Sequence, residues 1–271
     1  MNINKIWASY FSPTGTTQKV ADRIAGQLAA RLDRPASQFD FTLPKNREKP
    51  QQYKDTDLVV FSVPVYAGRV PNVLLKYLNM LEGGGALAVP VVLFGNRHYD
   101  DALKELYRIL AEHNFRPVAA AAFVGEHSFS YILGAGRPDS EDMTVVDGFA
   151  DRLADKLIKG DYTFNFKEED GTPLKNYYQP QDRDGNAIDI RKVRPKTNDM
   201  CRRCGLCVKK CPMGAIDPEN IEDFLNICIK CGACSKKCPS KARYFDDENY
   251  LYHKTELEEV YTRRAEPDIF I

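Results

Sequence analysis

The eight cysteines of this chain all lie between Cys201 and Cys238. They form two runs with the same spacing, C-x2-C-x2-C-x3-C, and each run is followed by a proline. This spacing is typical of bacterial iron–sulfur sites, in which three thiolates of a run bind one [4Fe–4S] cluster and the fourth ligates the neighbouring cluster. The proline ends the local turn and directs the fourth thiolate away from its own run. The spacing therefore predicts two clusters with crossed ligands: Cys201, Cys204, Cys207 and Cys238 for one, and Cys228, Cys231, Cys234 and Cys211 for the other.

Two other uses of cysteine fit this spacing less well. A zinc ribbon needs two C-x2-C pairs separated by a longer spacer, and it uses four ligands in total. A disulfide framework belongs to secreted domains, and no secretory context is visible. Gly205 and Gly232 each follow the second cysteine of a run, where the lack of a side chain lets the backbone approach a cluster. The segment resembles a ferredoxin of the two-cluster type.

Composition narrows the remaining function classes. The formal net charge is +0 over 271 residues, so we expect no nucleic-acid partner. No run approaches the roughly 18 apolar residues that a membrane span requires. The first residues lead directly into an apolar segment, with no secretory or other targeting pattern. Together with oxygen-sensitive clusters, these features predict a reducing, cytoplasmic location.

Before the cysteines, apolar strands alternate with amphipathic helices. A continuous apolar run indicates a buried strand, whereas apolar residues that recur with a period of 3.6 indicate a helix. The predicted strands are Ile3–Phe11, Ser37–Thr42, Asp57–Val63, Val89–Phe94 and Pro117–Val124, and the predicted helices are Thr16–Leu32, Pro71–Leu81, Asp100–Asn114 and Met143–Lys159. This alternation predicts an α/β fold, a doubly wound, five-stranded parallel sheet with both faces covered. Such a fold binds its ligand beyond the carboxyl ends of the strands.

The loop after the first strand has the composition of an anion site. It reads Ser12-Pro-Thr14-Gly15-Thr16-Thr17 and opens a helix, where backbone N–H groups and hydroxyls can meet a phosphate. It lacks the lysine of a P-loop and contains no G-x-G-x-x-G, which disfavours a nucleotide hydrolase and a dinucleotide fold. A threonine-rich helix cap is the alternative interpretation, because Ser and Thr are common caps.

This loop resembles the flavodoxin phosphate loop, which holds the FMN phosphate with hydroxyls and amides. The resemblance implies that the loops after the third and fourth strands enclose the isoalloxazine ring, with Tyr99 or Tyr66 stacked on it. The implied FMN contacts are Ser12, Thr14, Gly15, Thr16 and Thr17 in the first loop, Pro64, Val65, Tyr66, Ala67 and Gly68 in the second, and Gly95, Asn96, Arg97, His98, Tyr99 and Asp100 in the third.

Plainer roles remain open for three of these residues. Tyr99 could pack on the sheet at the start of a helix, and Arg97 and His98 could lie in a solvated loop. We predict no catalytic residue; in particular, His98 has no partner visible in the sequence that would make it an acid.

The order of the two parts resembles that of the flavodoxin–ferredoxin fusion proteins. We expect a flavodoxin-like FMN domain in residues 1–160 and a linker with a possible hairpin in 161–196. A small α+β, ferredoxin-like domain with two [4Fe–4S] clusters is expected in 197–248, and a docking extension in 249–271. The extension includes a short helix predicted over residues 255–264. The long, Gly-rich loop over residues 125–139 has two candidate roles, a lid over the flavin or a seat for the ferredoxin domain.

Clusters carry single electrons, whereas a flavin handles one or two. The sequence therefore predicts an electron-transfer protein that couples two clusters to FMN and exchanges electrons with unidentified redox proteins. Its oligomeric state is left open. One alternative is an enzyme, a ferredoxin-fed flavin reductase for a small quinone or nitro-type acceptor. A third interpretation keeps the clusters as structural elements beside an empty first domain.

Overall fold

The computed structural model describes residues 2–271. The strands are β1 (Lys5–Tyr10), β2 (Ala36–Asp40), β3 (Asp57–Pro64), β4 (Leu87–Phe94), β5 (Arg116–Pro117), β6 (Ala120–Val124), β7 (Lys196–Thr197), β8 (Arg243–Tyr244) and β9 (Asp268–Phe270). The α-helices are α1 (Thr16–Leu32), α2 (Leu75–Leu78), α3 (Ala102–Glu112), α4 (Ser140–Ile158), α5 (Leu206–Lys209), α6 (Ala233–Lys236) and α7 (Glu248–Val260). Short 3-10 turns span Pro44–Arg47 and Asn72–Leu74.

The large sheet has the order β2-β1-β3-β4-β6-β9. Its first five members pair in parallel, and their order is the flavodoxin-like one. Strands β3 and β4 are buried along almost their whole length, because helices cover both faces of a parallel sheet. One face packs against α1 and α4, and the other against α2 and α3. The predicted α/β fold is confirmed.

Several elements differ from their predicted bounds for identifiable reasons. The helix predicted over 71–81 is reduced to the 3-10 turn and the single turn of α2. The fifth predicted strand is divided into β5 and β6, since Pro117 has no N–H to donate to the ladder. Helix α7 begins earlier than predicted, at Glu248, because the Asp247 side chain accepts a hydrogen bond from Tyr250 N–H and caps it.

The hairpin predicted in the linker forms only in part. An isolated antiparallel bridge joins Gln181 to Ala187 around the Asp184-Gly185 turn, and the structure assigns no strand to residues 161–195. The chain end docks on the sheet instead: β9 pairs with β6 in antiparallel fashion, with Ile269 opposite Ala121. No helix within residues 2–271 is both long enough and apolar enough to cross a membrane.

The cysteine-rich segment folds as two similar turns. Helices α5 and α6 begin after Gly205 and Gly232, whose φ angles are 69° and 73° in the left-handed region. Strands β7 and β8 join the ends of the segment, with Thr197 paired to Arg243. The segment packs on loops at the carboxyl edge of the sheet, where Arg47 Nη2 donates to Pro212 O at 2.6 Å.

Candidate functional site: two cysteine cavities beside the sheet edge

Two cavities in the cysteine-rich segment are each lined by four cysteines. The inner cavity is lined by Cys211, Cys228, Cys231 and Cys234. The outer cavity is lined by Cys201, Cys204, Cys207 and Cys238. The structure thus brings together the same two sets of cysteines as the crossed arrangement that the spacing predicts.

The donor set of these cavities suits iron–sulfur clusters. All eight cysteines are free thiols, and soft thiolate ligands favour Fe–S centres. No group of three or more His, Cys, Asp or Glu in residues 2–271 is arranged to hold a single metal ion. A cubane binds each thiolate at a different iron, so its ligands surround a volume rather than converge on a point. Four cysteines around a cavity fit that requirement.

The inner cavity lies against the first domain. Burial raises the pKa of Tyr66, in the loop after β3, well above its usual value, and the charges of Cys231 and Cys228 raise it further. Ile229 packs against the hydrophobic core of the sheet. Burial likewise raises the pKa of the Cys231 thiol, which is 8% exposed. The inner cavity is therefore enclosed between the cysteine-rich segment and the sheet.

The outer cavity lies nearer to solvent. Cys204 is exposed, and so are its neighbours Arg202 and Arg203, which also line the cavity. The Cys201 sulfur accepts a hydrogen bond from Arg203 N–H at 3.4 Å. The Cys238 sulfur accepts one from Ala242 N–H at 3.3 Å. N–H donors of this kind stabilise thiolates, as cluster ligation requires.

The loop at the start of α1 has the features of an anion site. Ser12 Oγ accepts a hydrogen bond from Gln18 N–H at 2.9 Å, while Thr14 Oγ1 lies 3.4 Å from Thr16 Oγ1. Gly15 is the N-cap, with φ 107°, and no side chain caps the helix there. The N–H groups of Thr16 and Thr17 have no acceptor within the helix. A Cβ on Gly15 would meet no atom within 4 Å, so the space beside Gly15 is open.

The loop after β3 is a tight turn. Tyr66 and Arg69 exchange backbone hydrogen bonds, and Ala67 and Gly68 both have positive φ. A Cβ on Gly68 would collide with the Asp100 carboxyl group, so this loop and the loop after β4 touch. Pro64 ends the strand, and Val65 N–H donates to Leu93 O at 2.8 Å. Tyr66 is consequently held at the edge of the sheet.

The loop after β4 is occupied by other parts of the chain. Asn96 is buried, donates to Tyr261 O and Arg263 O, and accepts from Ala265 N–H. The flavin contact predicted for its side chain does not fit these bonds. Gly95 lies against His127, since a Cβ there would collide with the imidazole ring.

Tyr99 has a different place from the one the resemblance implies. It is 3% exposed, packs on Phe94, and donates its hydroxyl proton to Glu168 Oε1 at 2.8 Å. His98 stacks on the ring at 4.8 Å between centroids. This geometry does not fit the predicted stacking of Tyr99 on a flavin. It fits the alternative, in which Tyr99 packs on the sheet.

Arg97 is not a free loop cation. It pairs with Asp100, and its guanidinium lies 4.8 Å from the centroid of the Tyr178 ring. His98, in contrast, has a side chain that is 53% exposed. Of the aromatic side chains in this loop, His98 rather than Tyr99 is available to a ligand.

Loop 125–139 contacts the cysteine-rich segment. Lys236, which lies between Cys234 and Cys238, donates to Glu126 Oε1 and to Ser130 O. A Cβ on Gly232 would lie 2.6 Å from Ser128 O. Of the two roles considered for this loop, these contacts favour a seat for the cysteine-rich segment.

The same loop also anchors the chain end. Arg137 is buried in an ion pair with Asp142 and donates to Ala265 O at 2.7 Å. Ser130 Oγ donates to Glu258 Oε1 on α7 at 2.5 Å. The sequence did not indicate the bonds to Ala265 and Glu258, since each joins residues 128 positions apart in the chain.

Comparisons with known proteins fit this two-part description. Residues 200–243 match the family model of the 4Fe-4S dicluster domain. No curated protein matches the chain. Among solved structures, a flavodoxin from the domain Archaea is 11% identical, with a TM-score of 0.41, over 58% of this chain and 99% of its own.

Two bacterial flavodoxins give similar values. The flavodoxin of Streptococcus pneumoniae TIGR4 is 20% identical over 57% of this chain and 99% of its own, with a TM-score of 0.39. Oxidised Flavodoxin 2 of Bacillus cereus is 16% identical over 56% of this chain and 99% of its own, with a TM-score of 0.40. The fold assignment itself rests on the strand order described above.

The fold and the cysteine-rich segment define a class of protein. A flavodoxin-like sheet domain is followed in the same chain by a 4Fe-4S dicluster domain. This is the organisation of a flavodoxin–ferredoxin fusion, as the resemblance in the sequence predicts.

Proposed function

We propose that this protein transfers electrons between redox partners by coupling two [4Fe–4S] clusters to a bound FMN. The clusters would supply one-electron transfer and the flavin would exchange one or two electrons, so the protein would convert one mode to the other. The protein itself would hold the two clusters and the flavin next to one another and exclude water from between them.

The cysteine cavities support the cluster part of this proposal. The inner cluster would be held by Cys211, Cys228, Cys231 and Cys234, and the outer cluster by Cys201, Cys204, Cys207 and Cys238. Each set takes three ligands from one run and one from the other. The two clusters would then share the short connections around α5 and α6.

The loops at the sheet edge support the flavin part. The N–H groups of Thr16 and Thr17 and the hydroxyls around Gly15 would hold the FMN phosphate at the start of α1. The turn Pro64–Gly68 and the exposed side of the loop Gly95–Asp100 would flank the ring system. The open space in front of Gly15 suits a phosphate group.

The packing of the inner cavity on the sheet domain carries the proposal. Ile229, next to Cys228, packs against the hydrophobic core of the sheet, and Gly232, next to Cys231, lies against Ser128 in the loop after β6. The inner cluster would therefore be the neighbour of the flavin, whereas the outer cluster, beside exposed Cys204, would exchange electrons with a partner protein.

A reductase acting on a small quinone or nitro-type acceptor is the alternative use of the same cofactors. It requires an open flavin face, whereas residues Tyr261, Arg263 and Ala265 cover the loop after β4. We therefore favour an electron carrier of the cytoplasm with protein partners. Turnover of an acceptor by the isolated, reduced protein would favour the enzyme.

The cofactor content of anaerobically purified protein tests the proposal. We expect about eight irons and about as many sulfides per chain, as two cubanes require, together with one released FMN. Iron without flavin would refute the coupling and the assignments at Ser12–Thr17 and Tyr66. Flavin without iron would refute the cluster assignments.

A further inference from the structure

Arg243 on β8 is a buried guanidinium with free hydrogen-bond donors. It is 3% exposed, and its Nη1 donates to Thr197 Oγ1 at 2.6 Å and to Ile221 O at 2.9 Å. Its Nε and Nη2 are also buried, and neither has an acceptor in the protein. Within residues 2–271 we find no carboxylate paired with it.

Such an arrangement is costly for the protein alone. A buried charge is stable only when it is paired and hydrogen-bonded, and each unmet donor adds to the cost. The Phe224 ring, centred 5.8 Å from the guanidinium, compensates only weakly. The two structural bonds of Arg243 use only Nη1. The free nitrogens therefore point to an anionic group that the protein itself does not supply.

The surroundings of Arg243 identify that group. Arg243 lines the outer cavity, and the backbone N–H of its neighbour Ala242 donates to the Cys238 sulfur at 3.3 Å. Arg243 thus lies beside the cysteines of the outer set.

We propose that Arg243 directs Nε and Nη2 at sulfur atoms of the outer cluster and raises the reduction potential of that cluster. This inference rests on the proposed binding of two clusters. Reduction adds one electron, and hence negative charge, to a cluster and its sulfurs, without forming or breaking a bond to Arg243. A nearby positive charge and N–H donors stabilise that reduced form. The Arg243 guanidinium is accordingly placed to tune the outer cluster.

The test compares three variants of the full-length, cluster-loaded protein. Arg243→Met removes the charge and the donors, and Arg243→Lys keeps the charge but loses the planar fork. Lys209→Met removes an exposed cation two residues after Cys207 and serves as the control. Iron and sulfide are counted first, and the potential of each cluster is then measured by redox titration with EPR detection.

We expect Arg243→Met to lower the potential of the outer cluster, and Arg243→Lys to lower it by a smaller amount. Lys209→Met should leave the potentials close to wild type, because solvent and salt screen an exposed charge. If Arg243→Met loads too little iron to titrate, Arg243→Lys decides, and a fall in the potential of the outer cluster supports the proposal.

Unchanged potentials in loaded Arg243→Lys and Arg243→Met protein would overturn the proposal, since a structural role affects only loading or stability. A fall confined to the inner cluster would overturn the assignment of Arg243 to the outer one. Wild-type protein that binds fewer than two clusters would instead contradict the proposed function, so the two failures are distinguishable.

Discussion

The inner and outer cavities have the same cysteine spacing but different surroundings. The inner cavity is closed by the sheet domain, and its Cys231 is 8% exposed. The outer cavity opens beside exposed Cys204 and the exposed cations Arg202 and Arg203. The spacing therefore determines which cysteines group together, whereas the packing of the other domain determines how each group is solvated.

This difference has a consequence for the proposed clusters. Desolvation disfavours added negative charge, so burial alone would give the inner cluster the lower potential, whereas N–H donors and cations would oppose that effect. Electrons held by the outer cluster would then move inward only when the flavin accepts them. The predictions below test the comparison, beginning with the largest expected effect.

The largest effect is expected from the crossed ligands. Cys211→Ser should remove the cluster built on Cys228, Cys231 and Cys234, although Cys211 belongs to the other run. Cys238→Ser should remove the cluster built on Cys201, Cys204 and Cys207. Each variant should retain about half of the iron, with a different EPR signal remaining, since each cluster needs its fourth thiolate.

The control for this pair is the identity of the surviving signal. If instead Cys211→Ser removed the cluster built on Cys201, Cys204 and Cys207, and Cys238→Ser removed the cluster built on Cys228, Cys231 and Cys234, the crossed assignment would be wrong. Equal loss of both signals in both variants would contradict the independence of the two sites.

Two glycines at equivalent positions test how tightly the residues around the inner cavity pack against loop 125–139. Gly205 and Gly232 occupy equivalent positions with φ of 69° and 73°. An alanine at either site pays about 1–2 kcal/mol for the left-handed backbone. Only Gly232→Ala also places a Cβ 2.6 Å from Ser128 O, whereas a Cβ at Gly205 meets nothing within 4 Å.

We therefore expect Gly232→Ala to lower the free energy of unfolding by roughly 1–3 kcal/mol more than Gly205→Ala, the usual cost of overpacking. Unfolding of the loaded proteins in denaturant measures the difference. Equal destabilisation by the two substitutions would show that loop 125–139 does not pack tightly against the residues around the inner cavity.

A smaller, pH-dependent effect is expected at His127, which lies in the same loop, 125–139. Burial, and then the charges of His253, Lys236 and Arg97, lower the pKa of His127 from 6.5 to about 3. Between these two values the unfolded chain binds a proton and the folded chain does not, so stability is lost as the pH falls below 6.5. The loss is at most about 1.4 kcal/mol per pH unit.

His127→Asn should remove this pH dependence while its side-chain oxygen replaces Nδ1 as the acceptor for Phe129 N–H. The measurement is the free energy of unfolding of the loaded protein at about pH 7.5 and about pH 5.5. His98→Asn is the control, since that side chain is 53% exposed. Burial also lowers the pKa of His253, so some pH dependence should remain. A pH dependence in His127→Asn as large as that of wild type would rule out His127 as its source.

The sequence predicted features that depend on local spacing. Helix α1 spans the predicted residues Thr16–Leu32, and the apolar runs became buried parallel strands. The cysteine grouping follows from the spacing of two short runs. In these cases the information lies within a few residues, or in a repeated pattern.

The sequence did not predict features that depend on distant contacts. Tyr99 resembles a flavin-stacking residue in a short motif, yet its hydroxyl meets Glu168 in the linker and its ring lies in the core. Asn96 meets backbone atoms of residues 261–265, at the far end of the chain. In the sequence, Arg243 looks like an ordinary surface cation, but in the fold it lies on β8 opposite Thr197 of β7 and is buried. Burial of polar groups by remote segments has no local pattern.

The central claim is that the inner cluster lies between the outer cluster and the flavin. Its most direct test is the rate of flavin reduction by a reduced one-electron donor, followed by stopped-flow absorbance in wild type, Cys211→Ser and Cys238→Ser. We predict that Cys211→Ser, without the inner cluster, reduces its flavin at the slow rate of a direct reaction, measured in protein that lacks both clusters. Cys238→Ser should remain faster than that baseline. Flavin reduction in Cys211→Ser as fast as in wild type would contradict the account.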